Sequence, residues 1–267
     1  MFQESETEGK RTKSPLMLDR RAQIAELVRQ RGAMRVEDLA DMFQVSLVTI
    51  RSDLAQLEKE GMLTRDRGGA VPTVHGSALI AFDTRTGLHL EEKRRIGQAA
   101  ARLVVPGDTI LMDAGTTVVE MTRHLHQVAP LNVVTNALNV AVEMGALPAV
   151  QVLLLGGMIN YATYSTLGPL VEQSLNDLVV RKLFLAAESV DASIGVMDTT
   201  MEIAQVKRVM VQAARRVILL ADSSKWQRTG FIKVTPLNTI DTIITDKGLS
   251  HADRAAIERL GVELILV

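Results

Sequence analysis

The sequence predicts two domains of different class: a small helical domain closed by a β hairpin, then a larger, mostly parallel α/β domain. Three observations predict it. The chain has 267 residues, well beyond one typical domain of about 150. From near Leu16 to Pro72, apolar positions recur at helical spacing three times in succession and then give way to a glycine turn. From Leu90 onward, helical patterns alternate with short runs of Val, Ile and Leu without polar alternation, as expected of strands buried under helices on both faces of a sheet.

Composition sets outer limits. With 47% apolar and 23% charged residues the chain can bury a core, and with no cysteine it has no disulfide, thiolate nucleophile or cysteine-ligated zinc. Thirty Lys and Arg against 31 Asp and Glu give a net charge of -1, so any contact with nucleic acid must be local. No apolar run approaches the roughly 18 residues needed to span a bilayer, and residues 1–15 read as a disordered polar tail without the apolar stretch of a secretory signal. A cytoplasmic protein is expected, with no membrane partner, no cofactor and no metal.

In the first domain, residues 16–73, Leu18 to Gln30 carries Ala22, Ala25, Leu27 and Val28 on one side, and Gly32 stands where a helix stops. Val36 to Phe43 supplies Val36, Leu39, Ala40 and Phe43 to a second, short helix. Ser46 caps a third, in which Leu47, Ile50, Leu54 and Leu57 fall in one inward stripe and Gly61 ends the run. Met62 to Asp66 and Ala70 to Thr73 are short extended pieces around Arg67, Gly68 and Gly69, as in a hairpin. This is the organisation of a winged helix-turn-helix, whose third helix enters the major groove of double-stranded DNA. The outward residues are then Val48, Thr49, Arg51 and Ser52, with Ser46 at the cap. Thr49 and Ser52 can bond base edges or phosphate, Val48 can meet a thymine methyl, and Arg51 can reach guanine or a phosphate. Arg65 and Arg67, flanking the turn, would lie over the neighbouring DNA backbone. Nine Lys and Arg balance nine Asp and Glu between Pro15 and Pro72, and three amphipathic helices also build bundles that bind no DNA, so the pattern alone leaves both readings open.

Val45 to Leu54, then Leu57, Glu58, Gly61, Leu63, Arg65 and Gly68, Gly69, Ala70, closely resemble the signature of the DeoR family of bacterial transcriptional regulators, whose members read VS..TIRRDL..LE..G.L.R.HGGA here. This chain departs at Ser52, where a second arginine is usual, and at Arg67, where histidine is usual. Both changes fall on the expected DNA face, so they bear on the operator sequence rather than on binding itself.

Residues 74–89 have little apolar period and read as a linker to the second domain, residues 90–267. Its strands are expected at Thr109 to Met112, Leu131 to Thr135, Val150 to Leu155, Leu183 to Ala187, Val217 to Ala221, Thr239 to Thr245 and Val262 to Val267. In an open parallel sheet, ligands sit outside the carboxyl ends of the strands. Small and polar residues gather at those ends: Asp113, Gly115, Thr116 and Thr117; Thr135 and Asn136; Gly156 and Gly157; Asp222, Ser224 and Lys225; and Asp246. Hydroxyls, glycine N–H groups and Lys225 suit phosphate oxygens, while Asp113 and Asn136 suit sugar hydroxyls.

This half also resembles the family in DAGTT, TN, GG, ADSSKW and the pair Glu202 and Lys207 on one helix. The resemblance implies a fold related to phosphosugar isomerases and a sugar-phosphate effector bound in part by Glu202 and Lys207. Five residues apart, these two share a helix face poorly and can also be plain surface charges. After Leu183 to Ala187 the family commonly has GA.GI, whereas Ala186 to Val190 here replaces two glycines, which would narrow a pocket. The stretches VSLVTIRSDLAQLEKEG and FDTRTGLHLEEK are more similar to the amino-sugar and galactitol-type members than to the glycerol-phosphate ones.

The expected function is therefore a DNA-binding repressor of a sugar-catabolic operon, relieved by a phosphorylated sugar and working as a homo-oligomer, because one winged helix makes too few base contacts alone. The alternative is a phosphosugar isomerase-like enzyme in which Asp113, Glu202, Lys225 or Asp246 moves a proton. A third class is a two-domain assembly protein without a small ligand. The five histidines add no catalytic set: His124 and His126 point to different faces of a helix, and His75, His89 and His251 are isolated.

Overall fold

Arg20, Ile24 and Val28, four residues apart, form the inner line of the first helix, α1 (Met17–Arg31), in the computed structural model of the chain. The structure describes residues 17–60, 62–72, 85–227 and 230–267, so the expected tail and most of the expected linker lie outside it. By its contacts the chain divides into two units, with the break between residues 80 and 81.

In the first unit, the expected stripe of α1 is turned. Ala22 is exposed and Ile24 is fully buried. The helix rotates because Arg20 is buried, drawn in by a carboxylate on another helix. Gly32, at φ 79°, closes α1 by donating its N–H to the Val28 carbonyl at 3.0 Å, a geometry only glycine adopts without strain. A two-residue strand, β1 (Met34–Arg35), leads into α2 (Val36–Phe43), which buries Val36, Leu39, Ala40 and Phe43 as the spacing predicts. In α3 (Leu47–Lys59), Ile50, Leu54 and Leu57 are inward, but Leu47 is 39% exposed because the first residue of the helix overhangs the core. The hairpin is β2 (Thr64–Asp66) and β3 (Gly69–Val71), and β1 pairs with the outer side of β3 to give a three-stranded antiparallel sheet in the order β1-β3-β2. Gly69 is required there, since a Cβ on it would stand 2.2 Å from the Met34 carbonyl oxygen.

One buried acid ties α3 to α1. Asp53 is 2% exposed and accepts from Arg20 Nε at 2.7 Å and Arg21 Nε at 2.8 Å. Asp53 shares the inner face of α3 with Ile50, Leu54 and Leu57, so the ion pair adds to the apolar stripe in fixing that face.

The second unit is a seven-stranded parallel sheet in the order β15-β14-β12-β9-β4-β5-β6. Its strands are β4 (Thr109–Met112), β5 (Leu131–Thr135), β6 (Val150–Leu154), β9 (Lys182–Ala186), β12 (Val217–Leu220), β14 (Thr242–Thr245) and β15 (Glu263–Leu266). Alternate residues face two separate cores. Ile110, Met112, Phe184, Ile218 and Ile244 join α4 (Leu90–Ala101), α5 (Thr116–Thr122) and α6 (Leu138–Gly145). Leu111, Leu183, Leu185, Leu219 and Ile243 join α7 (Pro169–Asn176), α8 (Met201–Ala213) and α9 (His251–Arg259). The order runs one way from β4 to β6 and the other way from β9 to β15, so the direction reverses between β4 and β9.

Two additions lie outside the expected pattern. A hairpin, β7 (Met158–Asn160) and β8 (Ser165–Leu167), follows β6. A second antiparallel sheet combines β10 (Ser189–Asp191), β11 (Gly195–Asp198) and β13 (Ile232–Thr235). Nor is β6 buried on both faces, as its run of Val and Leu suggested: it is the edge strand, with Leu153 48% and Leu154 41% exposed. Among the described residues, no helix is long and apolar enough to cross a membrane.

Removing the acid that joins α1 to α3 leaves the buried Arg20 and the part-buried Arg21 without that counter-charge. Asp53→Ala should therefore lower the stability of the first unit by about 3 kcal/mol. Urea unfolding followed by far-UV circular dichroism checks this, through an earlier first transition than in the parent chain.

Candidate DNA face and ligand pocket

At the start of α3 the chain turns through Gln44, whose φ of 54° is left-handed, and Ser46 then caps the helix by accepting the Thr49 N–H at 3.1 Å. The Ser46 and Thr49 hydroxyls also lie 2.8 Å apart, so both are partly committed to the cap. Val48 is 72% exposed, and Arg51 and Ser52 are exposed beside it on the first turns of α3. Arg67 is exposed at the tip of the hairpin. Arg65 is also exposed, on β2, and is paired there. Its Nε lies 2.7 Å from Glu58 Oε2 and its backbone N–H donates to Glu58 Oε1 at 2.9 Å, so it fastens the hairpin to the end of α3. The Arg65 backbone N–H, and then its guanidinium, hold the Glu58 carboxyl below its ordinary range.

In the second unit, a cleft lies over the carboxyl ends of β4 and β9, where the strand order reverses. Asp113, directly after β4, is 2% exposed. Its carboxylate accepts from the Ala114 N–H at 2.7 Å and from the Ala186 N–H at 3.0 Å, which stitches the end of β4 to the end of β9. Lys207, on α8, reaches the same point. Its ammonium lies 3.2 Å from Asp113 Oδ2 and 2.7 Å from Asp198 Oδ2, and donates to the Ala186 carbonyl at 2.9 Å. Burial opposes the charge on Lys207, but Asp113 and Asp198 outweigh it and raise its pKa above that of an ordinary lysine. Burial likewise works against ionised Asp198, and the Lys207 charge and hydrogen bond overcome it, lowering that carboxyl.

A second set of charges comes from elsewhere in the fold. Lys93, in the first turn of α4, is only 3% exposed, lines the cleft and donates from Nζ to the Arg85 carbonyl. Burial lowers its ammonium to about 8; Lys225 and Arg85 add to the fall, while Asp222 and Glu120 oppose it. Lys225, in the short 3-10 turn Ser223–Gln227, stands 3.8 Å from Glu188. Asp222 braces that turn by accepting the Ser224 N–H at 3.2 Å together with its hydroxyl. Asp246 braces it from β14 by accepting the Ser223 N–H at 2.6 Å.

Of the residues expected at a ligand, Asp113, Gly115, Thr116, Thr117, Asn136, Lys207, Asp222, Ser224 and Lys225 line the cleft together. Asn136 donates from Nδ2 to the Thr166 carbonyl at 2.9 Å, while its Oδ1 is buried without a partner among the described residues. Five others lie elsewhere, among them Asp246, which braces the Ser223–Gln227 turn. Thr135 is fully buried and bridges the Met112 carbonyl and the Ala137 N–H, a structural role behind the cleft. Gly156 and Gly157 follow the edge strand β6, two strands away from β4; a Cβ on Gly157 would stand 2.6 Å from the Leu167 carbonyl oxygen, so it serves the approach of the hairpin. Glu202 is exposed on α8 while Lys207 is buried, so the pair divides between solvent and cleft. The cleft also takes residues that the reading of strand ends did not reach: Arg85, His89 and Lys93 before and within α4, Thr163 and Ser165 from the β7–β8 hairpin, and Asp198 from β11.

Residues 20–73 match the model of the DeoR-like helix-turn-helix domain, and residues 88–247 match the DeoR C terminal sensor domain. The chain belongs to the DeoR family of transcriptional regulators. It is 35% identical to the putative aga operon transcriptional repressor of Escherichia coli O157:H7, over 93% of each chain. It is 34% identical to the HTH-type transcriptional repressor GlcR of Bacillus subtilis strain 168, over 93% of this chain and 95% of that one. Among solved structures, ribose 5 phosphate isomerase A from Neisseria gonorrhoeae aligns with 50% of this chain and 52% of its own at 14% identity, with a TM-score of 0.36.

Two features shape the cleft wall. An ideal Cβ on Gly115 would fall 2.3 Å from the Ala186 Cβ, so the two strand ends tolerate only one methyl between them. Glu188, two residues on, places a carboxylate on the cleft wall opposite Lys225.

Lys93 gives this unit a testable pH dependence. An unfolded lysine keeps its proton up to its ordinary value of 10.5, whereas folded Lys93 loses it near 8. Between those values the unfolded chain binds more protons, so the contribution of this residue to stability rises with pH. Urea midpoints of the parent chain, relative to Lys93→Met, should climb as pH is raised from 8 to 10.5 and stay level below 8.

Proposed function

We propose that this chain is a repressor that holds operator DNA through α3 and its hairpin and releases it when a sugar phosphate occupies the cleft of the sensor unit. The observation that carries the effector half is a buried ammonium on a ligand cleft: Lys93, 3% exposed, beside Lys225 and Arg85. Burying a lysine without full compensation costs stability, and an anion in the cleft would repay that cost. A phosphate fits against Lys93, Lys225 and the Thr116 and Thr117 hydroxyls. The unpartnered Asn136 Oδ1 then accepts from a sugar hydroxyl, with Asp113 and Asp222 as neighbours. On the DNA side, Val48, Arg51 and Ser52 read base edges and Arg67 meets phosphate, while Ser46 and Thr49 fix the helix end that presents them. Arg65 acts on DNA through the placement of the hairpin. Two relatives named as repressors support the sign of the control.

Binding rather than turnover is the role we infer for the cleft. All three Lys207 protons are engaged, by Asp113, Asp198 and the Ala186 carbonyl, so this amine has no lone pair to act as a base. Asp113 is itself held by two backbone N–H groups. Both are committed to holding strand ends. The working form is a homo-oligomer, since paired heads on repeated half-sites are needed for operator affinity.

The experiment is a gel shift on DNA from upstream of the chain's own gene, repeated with hexose, hexosamine and ketose phosphates. Arg51→Ala should weaken operator binding by about 1–3 kcal/mol and leave the thermal shift by a sugar phosphate intact. Lys225→Ala should abolish the thermal shift and leave operator binding intact. Loss of both activities from either variant in folded protein would refute this division of roles, and interconversion of the sugar phosphates seen by NMR would overturn the non-enzymatic reading.

A further inference from the structure

Among the described residues, four acids line the cleft: Asp113, Glu188, Asp198 and Asp222. Asp113, Asp198 and Asp222 are sealed in the protein at 2%, 5% and 1% exposure, and each is held by neighbours, the first two by Lys207 and the third by Ser224. Glu188 differs. Its side chain is 26% exposed, so of the four it is the acid that a ligand can touch. Its backbone is held on both sides. Two residues earlier, Ala186 donates its N–H to Asp113 and its carbonyl accepts from Lys207; directly after Glu188, Ser189 opens β10 and pairs with Met197 of β11. The carboxylate therefore hangs from a fixed stretch of chain. Lys225 Nζ lies 3.8 Å from Glu188 Oε2, beyond a hydrogen-bond reach of about 3.2 Å, so the two charges attract without closing on each other.

We propose that Glu188 selects the effector by charge, favouring a sugar phosphate that also carries a protonated amine. The proposal rests on the reading of the cleft as a sugar-phosphate site and narrows it. The four acids face as many cations, Arg85, Lys93, Lys207 and Lys225, so the lining is neutral, or one charge positive when His89 is protonated, before any ligand enters. A phosphate ester brings a charge of about −1.5 to −2 at neutral pH, which takes the site below neutral. Bound at Lys225, that phosphate also stands beside the Glu188 carboxylate. A second anionic group on the ligand would add to the repulsion. A hydroxyl can donate to Glu188 but returns no charge, whereas an ammonium donates and offsets part of the excess, and both partners of that bond are then ionised.

The test is isothermal titration calorimetry on the full chain at neutral pH, with 6-phosphates that differ only at carbon 2: glucosamine, glucose and N-acetylglucosamine, and the same three in the galactose series. In at least one series the amine should bind about tenfold tighter than its hydroxyl and acetamide counterparts, the step expected when an ion pair replaces a weaker hydrogen bond. Glu188→Gln, which keeps the size of the side chain and removes its charge, should bring that ratio down to about one; Glu188→Ala gives the same readout should the amide not fold. Equal binding of the three ligands by the parent chain, or tighter binding of the neutral ones, overturns the proposal and leaves the sugar-phosphate reading standing. A preference for the amine that survives in both variants overturns it too, because the amine is then seated elsewhere. So does the loss of all binding from both folded variants, since Glu188 would then hold the pocket rather than choose among ligands. If the parent binds none of the six, the sugar-phosphate reading itself fails and this proposal falls with it.

Discussion

Lys207 holds the working edge of the sensor unit together. Its ammonium joins the end of β4 through Asp113, the end of β9 through the Ala186 carbonyl, and β11 through Asp198. Two carboxylates and one ammonium, none more than 7% exposed in its side chain, leave one negative charge in a place where an unshared charge would be expensive. Backbone donors make the arrangement tolerable: Ala114 and Ala186 give N–H groups to Asp113, and Thr199 gives one to Asp198 at 2.8 Å. Ala186 is the last residue of β9, and Ala114 and Thr199 follow the ends of β4 and β11, so all three donors come from strand ends. The cluster therefore does for the strand ends what the ladder does for the strands, and it fixes the reversal point over which the cleft opens.

The DNA-binding unit uses the same device at smaller scale. Asp53 sits on the inner face of α3 and takes both Arg20 and Arg21 of α1, so the helix that presents Val48, Arg51 and Ser52 is held from behind by charge as well as by Ile50, Leu54 and Leu57. Glu58 then fixes Arg65, and with it the hairpin, to the far end of α3. Orientation is thus set by residues that face the protein, and Val48, Arg51 and Ser52 are left outward. Ser52 and Arg67, the two departures from the DeoR pattern, are both exposed. Neither carries the fold, so each can differ from the family at no structural cost.

Much of this was legible in the sequence, and the exceptions share a cause. The buried strands were readable because unbroken runs such as Thr109 to Met112 and Leu131 to Thr135 have no polar alternation, and α2 was readable because all four of its spaced apolar residues are buried. Hydrophobic period says nothing about buried ions. Arg20 drew α1 round by its pair with Asp53, and Lys207 turned inward to two acids while Glu202 stayed in solvent, although both looked alike as charges on one helix. Nor does period find short polar segments: Arg85 and His89 read as linker because lining a polar cleft leaves no apolar repeat. Gly156 and Gly157 failed for a topological reason, since small residues after a strand matter to a ligand only near the reversal of strand order, and β6 is at the edge. The same edge position explains why a run of Val and Leu ended exposed.

The β7–β8 hairpin connects these observations, because it is both a wall of the cleft and an extension of the sheet. Ser165 and Leu167 line the cleft and pair with Asn160 and Met158, so Met158 shares their face, whereas Ile159 pairs with buried Thr166 on the other. It is anchored to the sheet by the Thr166 N–H on the Asn136 carbonyl and the Thr166 hydroxyl on the Leu155 carbonyl, at the ends of β5 and β6. Arg85 reaches it from the other side of the cleft through the Ala162 carbonyl. Asn136 and Arg85, both on the wall of the cleft, are thus the attachments of the hairpin at its two ends. Whatever displaces either residue therefore acts on the hairpin directly, without a path through the sheet.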